Sequence, residues 1–314
     1  FFGKFKILLK VLGLRLILYK FFYWFFNLII NNNSSFLKGI IFDLKKKRSE
    51  YTIASFKGKE KYILFTNDSV ISKEIFIKNE FDFEKLKNSI EFLSSKNFKI
   101  SNLIDIGANI GAISIPAVKR KLVNKSFAIE PVPENYKILR ANIILNDLSE
   151  KIETYNCALS EKDDEIVEME ISDNNSGDHR VKKITKFNTH GEENREIIKV
   201  KTKRFDTLFD RLELKDTLVK IDTQGYDAVI LSAANKITKK RVPTIIEFWP
   251  YGLKRNGSWD KMFEILRNFR TFADLSKKNI TLEEINANNL NSLAQKWEKE
   301  KANEVSLFTD LLLL

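Results

Sequence analysis

The sequence is short of the residues that build covalently or metal-stapled folds. It has one cysteine, Cys157, which excludes a disulfide framework, and two histidines, His179 and His190, so no Cys/His set for structural zinc exists. A reducing compartment such as the cytoplasm suits such a chain. Five prolines and eleven glycines in 314 residues are also few. No Pro/Gly-rich linker divides the chain and no repeat recurs, which sets aside solenoids and propellers. Acidic residues fall eleven short of the basic ones, a balance that points to nucleic acid only if the excess covers a binding face.

The excess is instead local. Residues 1–60 hold twelve Lys/Arg against Asp43, Glu50 and Glu60, which is nine of the eleven surplus charges. The expected organisation is a basic, apolar N-terminal arm over 1–60 and one larger domain over 61–314. The arm runs "FFGKFKILLKVLGLRLILYKFFYWFFNLII", then "NNNSS", then "KKKR" at 45–48. It starts on Phe1 rather than Met, so a missing beginning is expected. Over Ile7 to Ile30, Lys10, Arg15 and Lys20 each cost about 2.5–3.5 kcal/mol at a bilayer centre, while sixteen Leu/Ile/Val/Phe together return roughly 5–10 kcal/mol. Insertion is near balance, so crossing and lying flat both stay open. The bases at 4, 6, 10, 15 and 20 do not share a helical face, and no small-residue cleavage site precedes "NNNSS". A shallow anchor at a membrane surface, involving residues 1–48, is favoured over a helix docked on its own domain. "FFYWFF" suits an interface and the flanking bases suit anionic head groups.

Beyond residue 60 strand and helix signals alternate. "KYILF" reads as a strand and "FDFEKLKNSIEFLSS" as a helix with Phe83, Leu86, Ile90 and Leu93 on one side. Strand 103–106 passes through a turn at 107–111 into a helix from Ala112. "SFAIEP" is a strand, "PENYKILRANIILN" a helix, and "IETYNCALS" a third strand. "DTLVKIDTQGYDAVILSAA" gives strand then helix, "PTIIEFWP" a strand, "WDKMFEILRNF" a helix, and "TFADLS" and "SLFTDLLLL" the closing strands. The expected fold class is α/β: a doubly wound, mostly parallel, seven-stranded Rossmann-like sheet with an N-terminal helical extension, its ligand at the carboxyl ends of the strands.

The stretch "LIDIGANIGAISI" carries the first chemistry. Gly107 permits a tight turn and Gly111 a close backbone approach to a ligand. Glu130, nineteen residues past Gly111, ends the next strand, where an acid takes a ribose diol. A nicotinamide dinucleotide calls for G-x-G-x-x-G with its pyrophosphate on a helix N-terminus. Here the spacing is G-x-N-x-G, and Asp105 would repel a pyrophosphate while attracting a cationic amino acid. S-adenosylmethionine, with an α-ammonium, a sulfonium and no phosphate, fits better.

On "DIGANIG" (105–111), "IEPVPENY" (129–136), "KTKRFDTLF" (201–209), "VKIDTQGYDAVIL" (219–231) and "FTDLLLL" (308–314), the chain resembles the FkbM family of S-adenosylmethionine-dependent methyltransferases over residues 65–314. The resemblance implies a class I methyltransferase fold and O-methylation of hydroxyls on sugars or secondary metabolites. It places Asp105, Gly107, Ala108, Asn109 and Gly111 at the methionine end of the cofactor. Glu130 falls at its ribose, with Pro131 and Asn135 close by, Cys157 and Ala158 at its adenine, and Asp222 facing the methyl. Gln224 departs from the family's usual Glu.

For a general base Asp222, His179 and Glu247 are the candidates. The plain readings are a helix N-cap for Asp222 and a surface loop, "SDNNSGDHRV", for His179; Cys157 reads as a packed small residue rather than a nucleophile. The polar insertion from Glu161 to Lys203 is the expected acceptor-selecting element, and "FWPYGL" (248–253) offers either a stacking surface for a sugar or ordinary core. The expected activity is O-methyl transfer to a sugar, glycan or lipid-linked saccharide. Two other readings are weighed beside it. A nucleic-acid methyltransferase is weakened by "IDTQGY" in place of [DN]-P-P-[YFW] and by the near-neutral body. A non-catalytic membrane-attached binding module is weakened by the intact cofactor turn.

Overall fold

The computed structural model describes residues 35–56, 59–182, 194–277, 279–301 and 308–314, together with 13, 16 and 18–23 near the N-terminus. His190 and most of the apolar stretch 7–30 lie outside the described residues. Among the described residues, no helix is long and apolar enough to cross a membrane.

Helix α1 (Ser35–Lys46) precedes a hairpin of β1 (Tyr51–Ser55) and β2 (Lys61–Phe65), followed by α2 (Ile71–Lys78) and α3 (Phe83–Ser95). Strand–helix units begin with β3 (Asn102–Ile106) and α4 (Ser114–Lys119), then β4 (Lys125–Ile129) and α5 (Pro133–Leu145), then β5 (Ile152–Tyr155). A block of four strands interrupts: β6 (Ala158–Leu159), β7 (Ile166–Ile171), β8 (Arg180–Val181) and β9 (Glu196–Lys203). The short α6 (Phe205–Leu208) leads to β10 (Thr217–Ile221), α7 (Asp227–Ser232) and α8 (Asn235–Thr238), and then to β11 (Thr244–Phe248), α9 (Pro250–Arg255) and α10 (Trp259–Leu266). β12 (Thr271–Asp274), β13 (Glu283–Glu284), α11 (Ala287–Lys301) and β14 (Thr309–Leu313) close the chain.

The main sheet runs β13-β12-β14-β11-β10-β3-β4-β5. Its β11-β10-β3-β4-β5 half is parallel, and β14 inserts antiparallel between β11 and β12. This is the expected doubly wound class I methyltransferase arrangement, with one strand more than the seven read from sequence because the two-residue β13 pairs with β12. The central strands are apolar almost throughout, as strands covered on both faces must be. Alternate residues feed two cores: Ile104, Ile106, Val219, Ile221, Ile246 and Phe248 one way, Leu103, Ala128, Leu218, Ile245 and Leu312 the other. Phe83, Leu86, Ile90 and Leu93 all turn inward from α3, as their three-to-four spacing requires.

Three departures from the sequence reading have physical causes. "IETYNCALS" is two strands, β5 in the main sheet and β6 paired with β9 in a second sheet of order β6-β9-β7-β8. The insertion is thus a folded layer, with Val132, Ala158, Met169 and Val200 as its small core. The hairpin β1–β2 straddles the expected boundary at residue 60. It is held to the body by α5, whose Asn142 and Asn146 side chains bond the backbone of Ile63 and Lys61 in both directions at 2.6–3.2 Å. Finally, Trp249 and Tyr251 of "FWPYGL" are buried and offer no stacking surface. The Arg180 guanidinium lies 4.6 Å from the Trp249 ring centroid, tying β8 to this segment.

Candidate functional site: an acidic nucleoside cleft

At the carboxyl ends of β3, β4 and β10 lies a cleft. The turn after β3 forms its floor. Gly107 has φ +87°, and a Cβ there would stand 2.0 Å from the Asp222 carbonyl oxygen, so only glycine lets β3 and β10 end side by side. Gly111 serves packing: a Cβ there would meet Ile115 and Leu139 at 2.6 and 3.0 Å, and it does not line the cleft. The expectation that Gly111 admits a ligand is corrected accordingly.

Glu130 sits at the end of β4 with both carboxylate oxygens engaged, Oε1 by the Val132 amide at 2.9 Å and Oε2 by the Asn109 amide at 2.8 Å. Asn109 presents that amide because it adopts φ +52°, a conformation asparagine tolerates better than most residues. Each oxygen keeps a lone pair for a further donor, which is what a vicinal diol supplies. Burial pushes the Glu130 carboxyl up to about 7 despite these amides and Asn135. Around the far end are Pro131, Val132, Cys157, Ala158 and Leu159, a small apolar slot. Burial raises the Cys157 thiol to about 11, so it remains a neutral packing group there.

The other end of the cleft is made by Asp222, Thr223 and Gln224. Lys220 and Asp222 project from the same face of β10, and the Lys220 Nζ donates to Asp222 Oδ2 at 3.1 Å. Burial alone would raise the Asp222 carboxyl; Lys220, with a second bond from Gln224 Nε2 at 3.1 Å, outweighs it and holds the group below the ordinary aspartate value. The β-ladder register places Asp105 beside Lys220, and Glu247 beside Asp310, on that same sheet face.

Asp105 nonetheless does not reach the cleft. It is fully buried beneath the turn, Oδ2 accepting from Ser114 Oγ at 2.7 Å while Oδ1 has no partner. The acidic rim expected of it is made instead by Glu130 and Asp222. Ala108 is likewise buried outside the lining, its amide bonded to the Ile129 carbonyl. Glu247 also lies behind the wall, 3.4 Å from Gln224 Nε2. Burial and the nearby Asp222, Asp227 and Asp310 push its carboxyl well above the ordinary carboxylate range. A group behind the wall does not reach an acceptor in the cleft, which removes Glu247 from the candidate bases. Gln224 donates to Asp222 and faces Glu247 without adding another negative charge between them.

His179 does line the cleft, against the surface-loop reading. Its Nδ1 accepts the Ser172 amide at 3.0 Å, and burial depresses its pKa to about 4. The ring is therefore neutral with its proton on Nε2, a donor rather than a base. The loop carrying it is strapped over the site: Ser176 accepts from the Asn109 and Asn135 side-chain amides at 2.6 and 3.1 Å, and donates to Asp68 at 2.7 Å. Ser176 gave no sequence signal. Lys220 did, as the single charge inside the apolar run of "TLVKI". A second groove shares Val132, Asn135, Ser176 and His179 with the cleft and runs out between residues 46–51 and the β7–β9 hairpin.

The donor set decides which nucleoside fits. Glu130 and Asp222 line the cleft, and no lysine or arginine does among the described residues. A pyrophosphate would find no cation there, whereas a sulfonium and an α-ammonium meet two acids.

Comparison with known proteins agrees. The family model for the methyltransferase FkbM domain matches residues 105–296. No curated protein matches the sequence. Among solved structures, precorrin-6Y C5,15-methyltransferase of Geobacter metallireducens is 12% identical, with 75% of this chain and 90% of that one covered and a TM-score of 0.34. For the tRNA m1G37 methyltransferase of M. jannaschii the values are 13%, 85%, 57% and 0.36. The N-terminal domain of human METTL16, solved with SAH, gives 12%, 61%, 61% and 0.35. With TM-scores this low, these likenesses carry no argument about the site. The family match spans well over half of the chain, from the acid before the glycine turn to α11, and the chain belongs to the FkbM family of S-adenosylmethionine-dependent methyltransferases.

Proposed function

We propose that the protein is an O-methyltransferase acting on a hydroxyl of a sugar, glycan or lipid-linked saccharide. The observation that carries the reading is the Lys220–Asp222 pair, which keeps an ionised carboxylate at the polar end of the cleft. S-adenosylmethionine, when bound, supplies a methyl group already activated as a sulfonium. What the chain must add is position and a place for one proton. In this reading Glu130 and the Asn109 turn would hold the nucleoside, and the Asp222 carboxylate would take the proton that the acceptor's hydroxyl gives up on receiving the methyl group. A carboxylate with a depressed pKa is a modest base, so its contribution belongs at the lower end of the usual range, about 10²-fold. His179 Nε2–H, shared by cleft and groove, donates to an acceptor oxygen. The polar groove, mixed in charge and carrying Tyr51 and Phe65 on its wall, suits a saccharide better than a polyanion.

Incubation with labelled methyl donor and fractionated glycans, lipids and RNA tests this. The expected result is label in the glycan or saccharide–lipid fraction, lost with Asp222→Asn. Label confined to RNA, or transfer undiminished in that variant, would sink the reading.

A further inference from the structure

The two faces of α1 have opposite surroundings. Inward, Gly39 and Phe42 are buried against α2, with the Phe42 and Phe76 rings 5.4 Å apart and Lys38 Nζ donating to the Ile77 carbonyl at 3.1 Å. Outward, Phe36, Ile40 and Leu44 recur at steps of four and are 76%, 42% and 55% exposed, one continuous apolar stripe. Ile53 on β1, 65% exposed, shares a shallow depression with Lys45 at the end of the helix. Beyond it stand Lys46, Lys47 and Arg48, exposed and, with Lys45, in no ion pair among the described residues. Of the nearby acids, Asp43 is taken by Lys73 at 2.7 Å, leaving Glu50.

We propose that this face of α1 docks on an anionic lipid bilayer, the apolar stripe entering the head-group boundary and Lys45–Arg48 meeting the lipid charge. Two weak signals side by side are what stable peripheral attachment takes, since neither a few apolar side chains nor a small cationic run suffices alone. Charge argues against the other occupants. A second copy would bring the same cations face to face, and the N-terminal arm carries Lys4, Lys6, Lys10, Arg15 and Lys20. The described arm residues Leu16, Tyr19, Phe21 and Phe22 are themselves exposed. The proposal stands apart from the reaction assigned above. It has one consequence for it: residues 46–51 also wall the groove that joins the cofactor cleft, so a bilayer against α1 borders the route to the site.

Vesicle sedimentation of the full chain tests this, comparing pure phosphatidylcholine with phosphatidylcholine containing one third phosphatidylglycerol. Wild type should favour the anionic vesicles at least tenfold. At about fivefold per cation near a charged surface, combined Lys46→Gln, Lys47→Gln and Arg48→Gln should weaken binding about a hundredfold. Combined Phe36→Ser, Ile40→Ser and Leu44→Ser should weaken it at least tenfold with an unchanged melting curve. Wild-type affinity in both combined variants would overturn the proposal by assigning attachment to the arm. Equal binding to both vesicle types would overturn it as well, as would a wild-type dimer that dissociates when the stripe is changed and binds no vesicles.

Discussion

Lys220 on β10 and Asp222, the first residue past the end of that strand, stand 3.1 Å apart between Nζ and Oδ2, the lysine buried and the carboxylate on the cleft wall. The pair converts strand alternation into a poised charge: the lysine outweighs the burial that would otherwise protonate the acid.

Removing that lysine should therefore change a pH profile as well as a rate. In Lys220→Met the Asp222 carboxyl rises, less of it is ionised at a given pH, and the acidic limb of kcat moves to higher pH. Asp222→Asn, with the lysine intact, should lower kcat by about 10²-fold and abolish that limb. An unmoved limb in Lys220→Met would separate the pair from catalysis.

His179 should behave as a donor. His179→Gln is expected to raise KM for the acceptor while leaving the pH dependence of kcat in place, because a ring depressed to about 4 is already neutral at working pH. A change in the acidic limb in this variant, read from full pH–rate profiles, would return the histidine to the role of base.

Glu130 should couple cofactor binding to protons. Its carboxyl titrates near 7 in the free protein, and ribose hydroxyls donating to it favour the ionised form. Affinity for S-adenosylhomocysteine should rise between pH 6 and about 8, and calorimetry in buffers of different ionisation enthalpy should show proton release. Glu130→Gln should remove the release and weaken binding about tenfold or more. Asp105→Asn, altered beneath the turn and not at the cleft, should leave the proton release intact.

Asp227 should make the fold less stable as pH rises. Burial, opposed by its bond from Thr223 and reinforced by Asp222, lifts its carboxyl from 3.8 to about 7. Between those values the native state keeps a proton the unfolded chain has lost, so the contribution is full below about 4 and disappears as pH passes 7. The ceiling is about 4 kcal/mol. Because His179, depressed to about 4, has the opposite slope between 4 and 6.5, the useful comparison is with Asp227→Asn. That variant should lose less Tm than wild type between pH 5 and 8, and parallel curves would refute the assignment.

Much of the cleft was legible because its residues are set by local backbone demands. Gly107 and Asn109 both need positive φ in a turn that follows an apolar strand, and Glu130 follows the next strand at a fixed spacing. The same local reading misplaced Asp105 and Gly111. Whether a side chain at a turn faces a ligand or the neighbouring layer depends on strands and helices distant in sequence, here β10 beneath Gly107 and α5 against Gly111. Glu247 failed as a base for a related reason, since it lies behind the cleft wall among three other acids, and only the register of β11 with β14 brings Asp310 there.

By itself the sequence determined the alternation of strands and helices, the glycine turn after β3 with the acid that ends the next strand, and the segregation of charge into the first sixty residues. Each follows from spacing, from turn conformation or from composition, which act over a few residues. Tertiary structure alone decided that the insertion is a second sheet whose Ser176 loop straps the cleft, that His179 is held neutral by burial, and that Lys220 serves Asp222. These depend on which distant groups share a low-dielectric interior, where a partner a few ångströms away sets both the charge a residue carries and the work it does.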